Sequence, residues 1–136
     1  MQNNLKEKVF QIISERQLCS YMNNTKWNKL ITAIDLEMSF PPAFIIKYLT
    51  QETVPHSLIE ISDVDYWGDW GGENFPTQEY YFHIEWIKIR PRYLKYRGKI
   101  IDPELIDESH ILNDILKRYH ISFEEENGLY CIYGYR

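Results

Sequence analysis

The sequence predicts an α+β domain in which two to three helices pack on one face of a mostly antiparallel sheet. Helical apolar spacing recurs near both ends of the chain, strand-like segments lie between and after the helices, and no internal repeat or linker divides them. The 136 residues match one ordinary domain, and 44% hydrophobic residues are typical of a globular chain. We therefore expect a single domain over residues 1–136.

Two amphipathic helices are predicted before residue 40. The first, over residues 4–19, has Leu5, Val9 and Ile12 at helical spacing. The second, over residues 26–36, follows three cap-type residues, Asn23, Asn24 and Thr25. Met22 resembles an alternative start, so residues 1–21 are a candidate N-terminal extension of a smaller domain.

Strand patterns follow the second helix. They cover residues 43–50 (AFIIKYLT), residues 57–64 (SLIEISDV) and, most strongly, residues 79–90 (EYYFHIEWIKIR). In the last of these the apolar positions alternate up to Trp86 and then change parity. This change predicts a β-bulge or a central strand covered on both faces.

The C-terminal third predicts a helix and a hairpin. Asp102, Pro103 and Glu104 have the composition of a helix start, so a third helix is expected from there to about His120. Residues 90–99 then form a polar connection before it. Asn127-Gly128 is a strong signal for a two-residue hairpin loop between two short strands.

Residues 63–72, DVDYWGDWGG, combine acids, aromatic rings and glycines. Gly68-Asp69 can form the centre of a tight turn, with the flanking tryptophans as a cross-strand pair. The alternative is an exposed surface on which aromatic rings anchor a protein partner and carboxylates attract its basic groups. The calcium-loop pattern fails, since Asn74 stands where a bidentate Glu is needed. The candidate binding residues are Asp63, Asp65, Trp67, Asp69, Trp70 and Glu73.

Charge is distributed in blocks along the chain, whose net charge is −5. Residues 51–85 hold eight acids and no Lys or Arg, whereas residues 86–99 hold six cations and no acid. Cations interleaved with aromatic rings suit single-stranded nucleic acid. Pairing of the same cations with the surplus acids of the chain is the alternative. The cations are Lys88, Arg90, Arg92, Lys95, Arg97 and Lys99.

Catalytic chemistry has little support in the sequence. No histidine or cysteine spacing matches a metal site, and no phosphate-binding or nucleotide-binding motif is present, so neither a metal nor a cofactor is expected. His83 and Glu85 share a face of the predicted strand and are the candidate acid–base pair. Cys19 and Cys131, with no signal peptide or membrane span predicted, suggest reduced thiols in the cytoplasm.

Four segments resemble a family of small uncharacterised bacterial proteins: MNNTKWNKL from Met22, YWGDWGG, HIEWIKIR and the closing GLYCIYGYR. The resemblance covers residues 22–136, and the link before the last helix is longer than is usual for the family. Members of that family resemble immunity proteins encoded beside bacterial toxins, which implies a binding function without catalytic residues.

These observations lead us to expect a non-catalytic cytoplasmic domain that binds a protein through an acidic, aromatic surface. The sharpest form of this expectation is an immunity protein that neutralises a basic toxin domain. A single-stranded nucleic-acid binder that uses residues 86–99 is the alternative. An enzyme built on His83 and Glu85 is a more distant third.

Overall fold

The computed structural model describes residues 2–54 and 75–136, and confirms the α+β class. The described part contains α1 (Gln2–Arg16), α2 (Asn24–Glu37), β1 (Ala43–Tyr48), a 3₁₀ helix (Gln78–His83), β2 (Ile84–Arg90), β3 (Arg92–Lys95), β4 (Glu104–Asp107), α3 (Ser109–Arg118), β5 (Phe123–Glu126) and β6 (Leu129–Tyr133). None of the helices in these ranges is both long and apolar enough to cross a membrane.

The described strands form two antiparallel sheets. The larger has the order β1-β2-β6-β5, and the smaller is a ribbon of β3 and β4. Since β2 lies between β1 and β6, it is a central strand, and apolar side chains on both of its faces are buried. This explains why the apolar positions of its sequence do not keep one parity.

The main core lies between one face of the larger sheet and two helices. Helix α2 contributes Leu30 and Ile34, and α3 contributes Leu112, Ile115 and Leu116, all at helical spacing and fully or almost fully buried. They pack with sheet residues that include Ile87, Ile89 and Ile132. A smaller cluster covers the other face of the sheet and consists of Ala43, Ile45, Trp86 and Cys131.

Local signals placed two elements correctly. Of the three cap-type residues, Asn23 is the N-cap of α2, because its side chain accepts a hydrogen bond from the N–H of Lys26. Asn127 and Gly128 have positive φ angles of 54° and 80° and join β5 to β6 as a two-residue loop. Both φ values belong to the mirror-image turn whose twist suits a hairpin.

Two predicted boundaries were wrong. The third helix begins at Ser109, not near residue 102, because residues 104–107 pair with β3 as a strand, so the supposed polar connection is also partly strand. The strand predicted from residue 79 begins at Ile84, since residues 78–83 form the 3₁₀ helix. In both places tertiary pairing and packing override a local pattern.

Candidate functional site

The acidic, aromatic surface proposed from the sequence falls outside the described residues. Asp63, Asp65, Trp67, Asp69, Trp70 and Glu73 all belong to residues 55–74. The described chain resumes at Phe75, whose buried ring makes edge contacts with Phe44 and Tyr81. The role of residues 55–74 as a binding surface therefore stays a prediction.

Glu85 lies at the centre of a cluster of three charged side chains. Its carboxylate accepts two hydrogen bonds from the guanidinium of Arg16, at 2.9 and 3.0 Å, and one from Nζ of Lys47, at 2.6 Å. The side chains of Lys47 and Glu85 are only 10% and 11% exposed, while that of Arg16 is 45% exposed. The cluster joins α1, β1 and β2.

A β-bulge places Glu85 in this cluster. Lys47 pairs with Trp86 and Tyr48 pairs with Ile84, so Glu85 is the extra residue of β2. Its carbonyl oxygen accepts hydrogen bonds from the N–H groups of Gly134 and Tyr135, at 2.7 and 3.1 Å. The bulge is thus held from both sides, by β1 and by the chain after β6.

Gly134 is required for this arrangement. A Cβ atom at this position would lie 2.2 Å from the carbonyl oxygen of Ile84, which is backbone and cannot rotate away. The absence of a side chain therefore lets the C-terminal segment approach the bulge.

The charges around Glu85 set its protonation. Burial alone would raise the pKa of Glu85, but the hydrogen bonds from Arg16 and Lys47 outweigh that effect and hold the pKa below its usual value of 4.5. Glu85 is therefore ionised at neutral pH. A carboxylate with a lowered pKa is a weak base, and this one already accepts three hydrogen bonds.

His83 and Glu85 are not joined in the described structure by a hydrogen bond or an ion pair. Nε2 of His83 lies 2.6 Å from Oγ1 of Thr50, and its ring packs on Tyr48 at a centroid distance of 4.7 Å. Burial lowers the pKa of His83 below 6.5, so it is neutral at pH 7. The expected shared strand face is absent, because His83 ends the 3₁₀ helix and Glu85 lies in the bulge.

A cleft of about 760 Å³ adjoins the charged cluster. It lies between α1 and the end of β1 with the residues that follow it, and Glu85 and Trp86 contribute to its wall. Its charged lining is balanced, with three cations and three carboxylates: Lys8, Arg16, Lys47, Glu15, Glu52 and Glu85. This balance gives no preference for an anionic or a cationic ligand.

The cations of residues 86–99 lie on β2, on β3 and in the connection from β3 to β4. On β2, Arg90 is 7% exposed and donates a hydrogen bond to the carbonyl oxygen of Asn127. Lys88 lies over the ring of Trp86, with Nζ 4.8 Å from the centroid. Cys131 pairs with both Lys88 and Glu124, so this lysine and this carboxylate share a row across the sheet.

The other cations belong to the ribbon of β3 and β4. Arg92 pairs in register with Asp107, and Lys95 with Glu104, so each cation of β3 is opposed by an acid of β4. The guanidinium of Arg97 donates two hydrogen bonds to the carbonyl oxygen of Asp102. The six cations are therefore divided between the larger sheet, β3 and the connection that follows β3, and several lie beside acids or carbonyl groups.

An acidic surface does occur within the described residues. Among the described strands, β5 is an edge of the larger sheet, and its Glu124, Glu125 and Glu126 are all exposed. Glu124 is paired with Arg136, and Glu125 accepts a hydrogen bond from the N–H of Gly128. Charged edge strands prevent unwanted strand pairing, and the same carboxylates are available to a basic partner.

The sequence did not predict Arg16 and Lys47 as partners of Glu85. Lys47 gave a usable signal, since a lysine in the apolar run AFIIKY is rarely buried unless it is paired. No comparable signal marked Arg16, which is an ordinary last-turn cation of an amphipathic helix. Within the described ranges, no group of three His, Cys, Asp or Glu residues could hold a metal ion.

Comparison with known proteins identifies the family of the chain. The model of a family described as "Family of unknown function (DUF6678)" matches residues 9–136, so the chain belongs to this family. The match begins inside α1 and so extends further toward the N-terminus than the resemblance seen in the sequence. No curated protein and no solved structure matches the chain.

Proposed function

We propose that this member of the DUF6678 family is a non-catalytic, protein-binding domain of the bacterial cytoplasm. In its sharpest form, the proposal is that the chain is an immunity protein and neutralises a basic toxin domain through carboxylates and aromatic rings. The acidic edge strand β5 carries the proposal, because it exposes three consecutive glutamates on a chain of net charge −5.

The state of the ionisable groups supports binding over catalysis. Glu85 is held by Arg16 and Lys47, and its lowered pKa makes it a poor general base. His83 is half-buried beside Thr50 and Tyr48. The members of an acid–base pair must hydrogen-bond to each other or to the same substrate. His83 and Glu85 instead hydrogen-bond to other side chains of the protein.

The distribution of cations supports a protein partner over single-stranded nucleic acid. A nucleic-acid site needs cations along one groove with aromatic rings that stack on successive bases. Here Arg90 is buried against the hairpin loop, and Arg92 and Lys95 lie opposite acids of β4. Glu124 and Glu126 of β5 share the sheet face of Lys88 and would repel phosphate.

The test uses the product of the gene directly upstream, purified as its C-terminal domain, as the probe. We expect a complex with this chain that protects cells from the domain, and an association rate that falls as salt rises. Steep salt-dependent binding to single-stranded RNA, abolished by Lys95→Ala with Lys99→Ala, would contradict the proposal. These two lysines are exposed, so the variant leaves the core intact.

A further inference from the structure

The ribbon of β3 and β4 carries the largest group of exposed apolar side chains in the described part of the chain. Its tip and outer strand expose Tyr96 by 68%, Ile100 by 98%, Ile101 by 56% and Leu105 by 49%. Scattered exposed apolar residues are normal, but several on one short element mark an interaction surface.

The two faces of the ribbon differ. Directly paired residues share a face, so Tyr93 and Ile106 lie on one side, and Leu94 and Leu105 lie on the other. The ring of Tyr93 stacks on Phe40 at a centroid distance of 4.7 Å, which turns the first side toward the body of the domain. The side with the two leucines is therefore the outer one.

The outer side is self-complementary. Arg92 and Asp107 are paired in register and, by the alternation of strand residues, share the side of Leu94 and Leu105. Rotation by 180° about an axis parallel to the strands lays β3 of one copy over β4 of another, at the same level. Arg92 then meets Asp107 of the second copy, and Leu94 meets its Leu105.

Other two-fold arrangements of the ribbon form no ion pairs between the two copies. A two-fold axis across the strands, at the level of Leu94 and Leu105, lays β3 on β3 in the opposite direction and places Arg92 over Tyr96 of the second copy, so no ion pair forms. Edge-to-edge pairing of two β4 strands would oppose Glu104 to Asp107. Charge complementarity therefore selects one arrangement and a closed dimer.

We propose that the outer side of the β3–β4 ribbon binds the same surface of a second copy of this chain, with the two-fold axis parallel to the strands. The ribbon presents fewer residues than the roughly 20–30 per partner of a standard interface. Association is therefore expected in the micromolar range. This inference is independent of the proposed toxin partner.

The test measures the mass of the protein in solution by light scattering after gel filtration. Protein concentrations should range from about 1 to several hundred micromolar, which is on the order of the expected dissociation constant. The wild type should approach twice the 16.5 kDa of one chain. Leu105→Glu and Leu94→Lys should each weaken self-association at least about tenfold. Leu36→Glu, at an exposed site on α2, is the matched control and should leave the dimer unchanged.

Mixing the two variants is the decisive step. Lys at position 94 of one chain would face Glu at position 105 of the other, so the mixture should form a heterodimer although neither variant dimerises alone. Recovery on mixing also shows that both variants are folded.

A wild type that stays monomeric, a Leu105→Glu variant that still dimerises, or growth beyond two chains would overturn the inference. So would a monomeric wild type whose Leu105→Glu variant loses binding to the upstream gene product, because the ribbon would then serve that partner.

Discussion

Nζ of Lys47 lies 2.6 Å from Oε1 of Glu85, and both side chains are almost buried. The second oxygen of the carboxylate is held by Arg16, so the cluster connects α1 to the first two strands of the sheet. Taking away one partner of a buried ion pair leaves a desolvated charge without compensation. This relationship makes the cluster a structural element that can be tested by substitution.

Lys47→Met should therefore destabilise the fold. We expect a loss of about 3 kcal/mol in the free energy of unfolding, near the lower end for a broken buried pair because Arg16 still compensates Glu85. Urea denaturation followed by circular dichroism measures the change. Arg16→Met, at a more exposed side chain, is the comparison and should cost less; an equal or larger loss there would contradict the role given to burial.

Glu85 should contribute to acid unfolding. Its folded-state pKa is held below 4.5, so its stabilising contribution is full above that pH and is lost as the pH falls through the lowered pKa. Between pH 7 and 3 the unfolding free energy of Glu85→Gln should fall less steeply than that of the wild type. Parallel curves for the two proteins would contradict this assignment.

His83 should affect the stability of the fold in a higher pH range than Glu85 does. Burial lowers its folded-state pKa below 6.5, so the unfolded chain takes up a proton first as the pH falls. Stability should therefore decrease from about pH 6.5 downward until the lowered pKa is passed, and His83→Gln should remove this part of the pH dependence. NMR titration of the His83 ring measures this pKa directly, and an ordinary or raised pKa would contradict the prediction.

Gly134→Ala should disturb the bulge that positions Glu85. The added methyl group would overlap the carbonyl oxygen of Ile84, so backbone must move and the hydrogen bond from Gly134 to Glu85 weakens. A loss of about 1–3 kcal/mol is expected from such overpacking. Ser122→Ala, at an exposed site before β5, is the control, and equal stability of both variants would show that the segment adapts without cost.

The fold was predictable where local chemistry and tertiary structure agree. Asn23 at the N-cap of α2 and Asn127-Gly128 in the hairpin loop impose their geometry through the backbone itself. Residues 104–107 contradict this pattern, because their acidic composition suits a helix start, yet pairing with β3 makes them a strand. A single sequence does not reveal which partner strand is available.

The candidate site was less predictable than the fold. Glu85 was singled out from its strand face, but its partners come from positions 69 residues earlier and 38 residues earlier in the chain. Such contacts depend on sheet order and on where α1 lies, and neither follows from periodicity. The segment with Trp67 and Trp70 belongs to residues outside the described ranges, so its role as a binding surface stays a prediction.

The central claim is that carboxylates of this chain attract a basic protein partner. The most direct measurement is the association rate constant between this chain and the purified C-terminal domain of the upstream gene product, over a series of salt concentrations. The account predicts a rate that falls with salt, and a roughly tenfold or greater decrease for a variant that combines Asp65→Lys, Asp69→Lys and Glu126→Lys, with the thermal unfolding of the variant unchanged. An absence of binding, or a variant that associates as fast as the wild type at low salt, would contradict it.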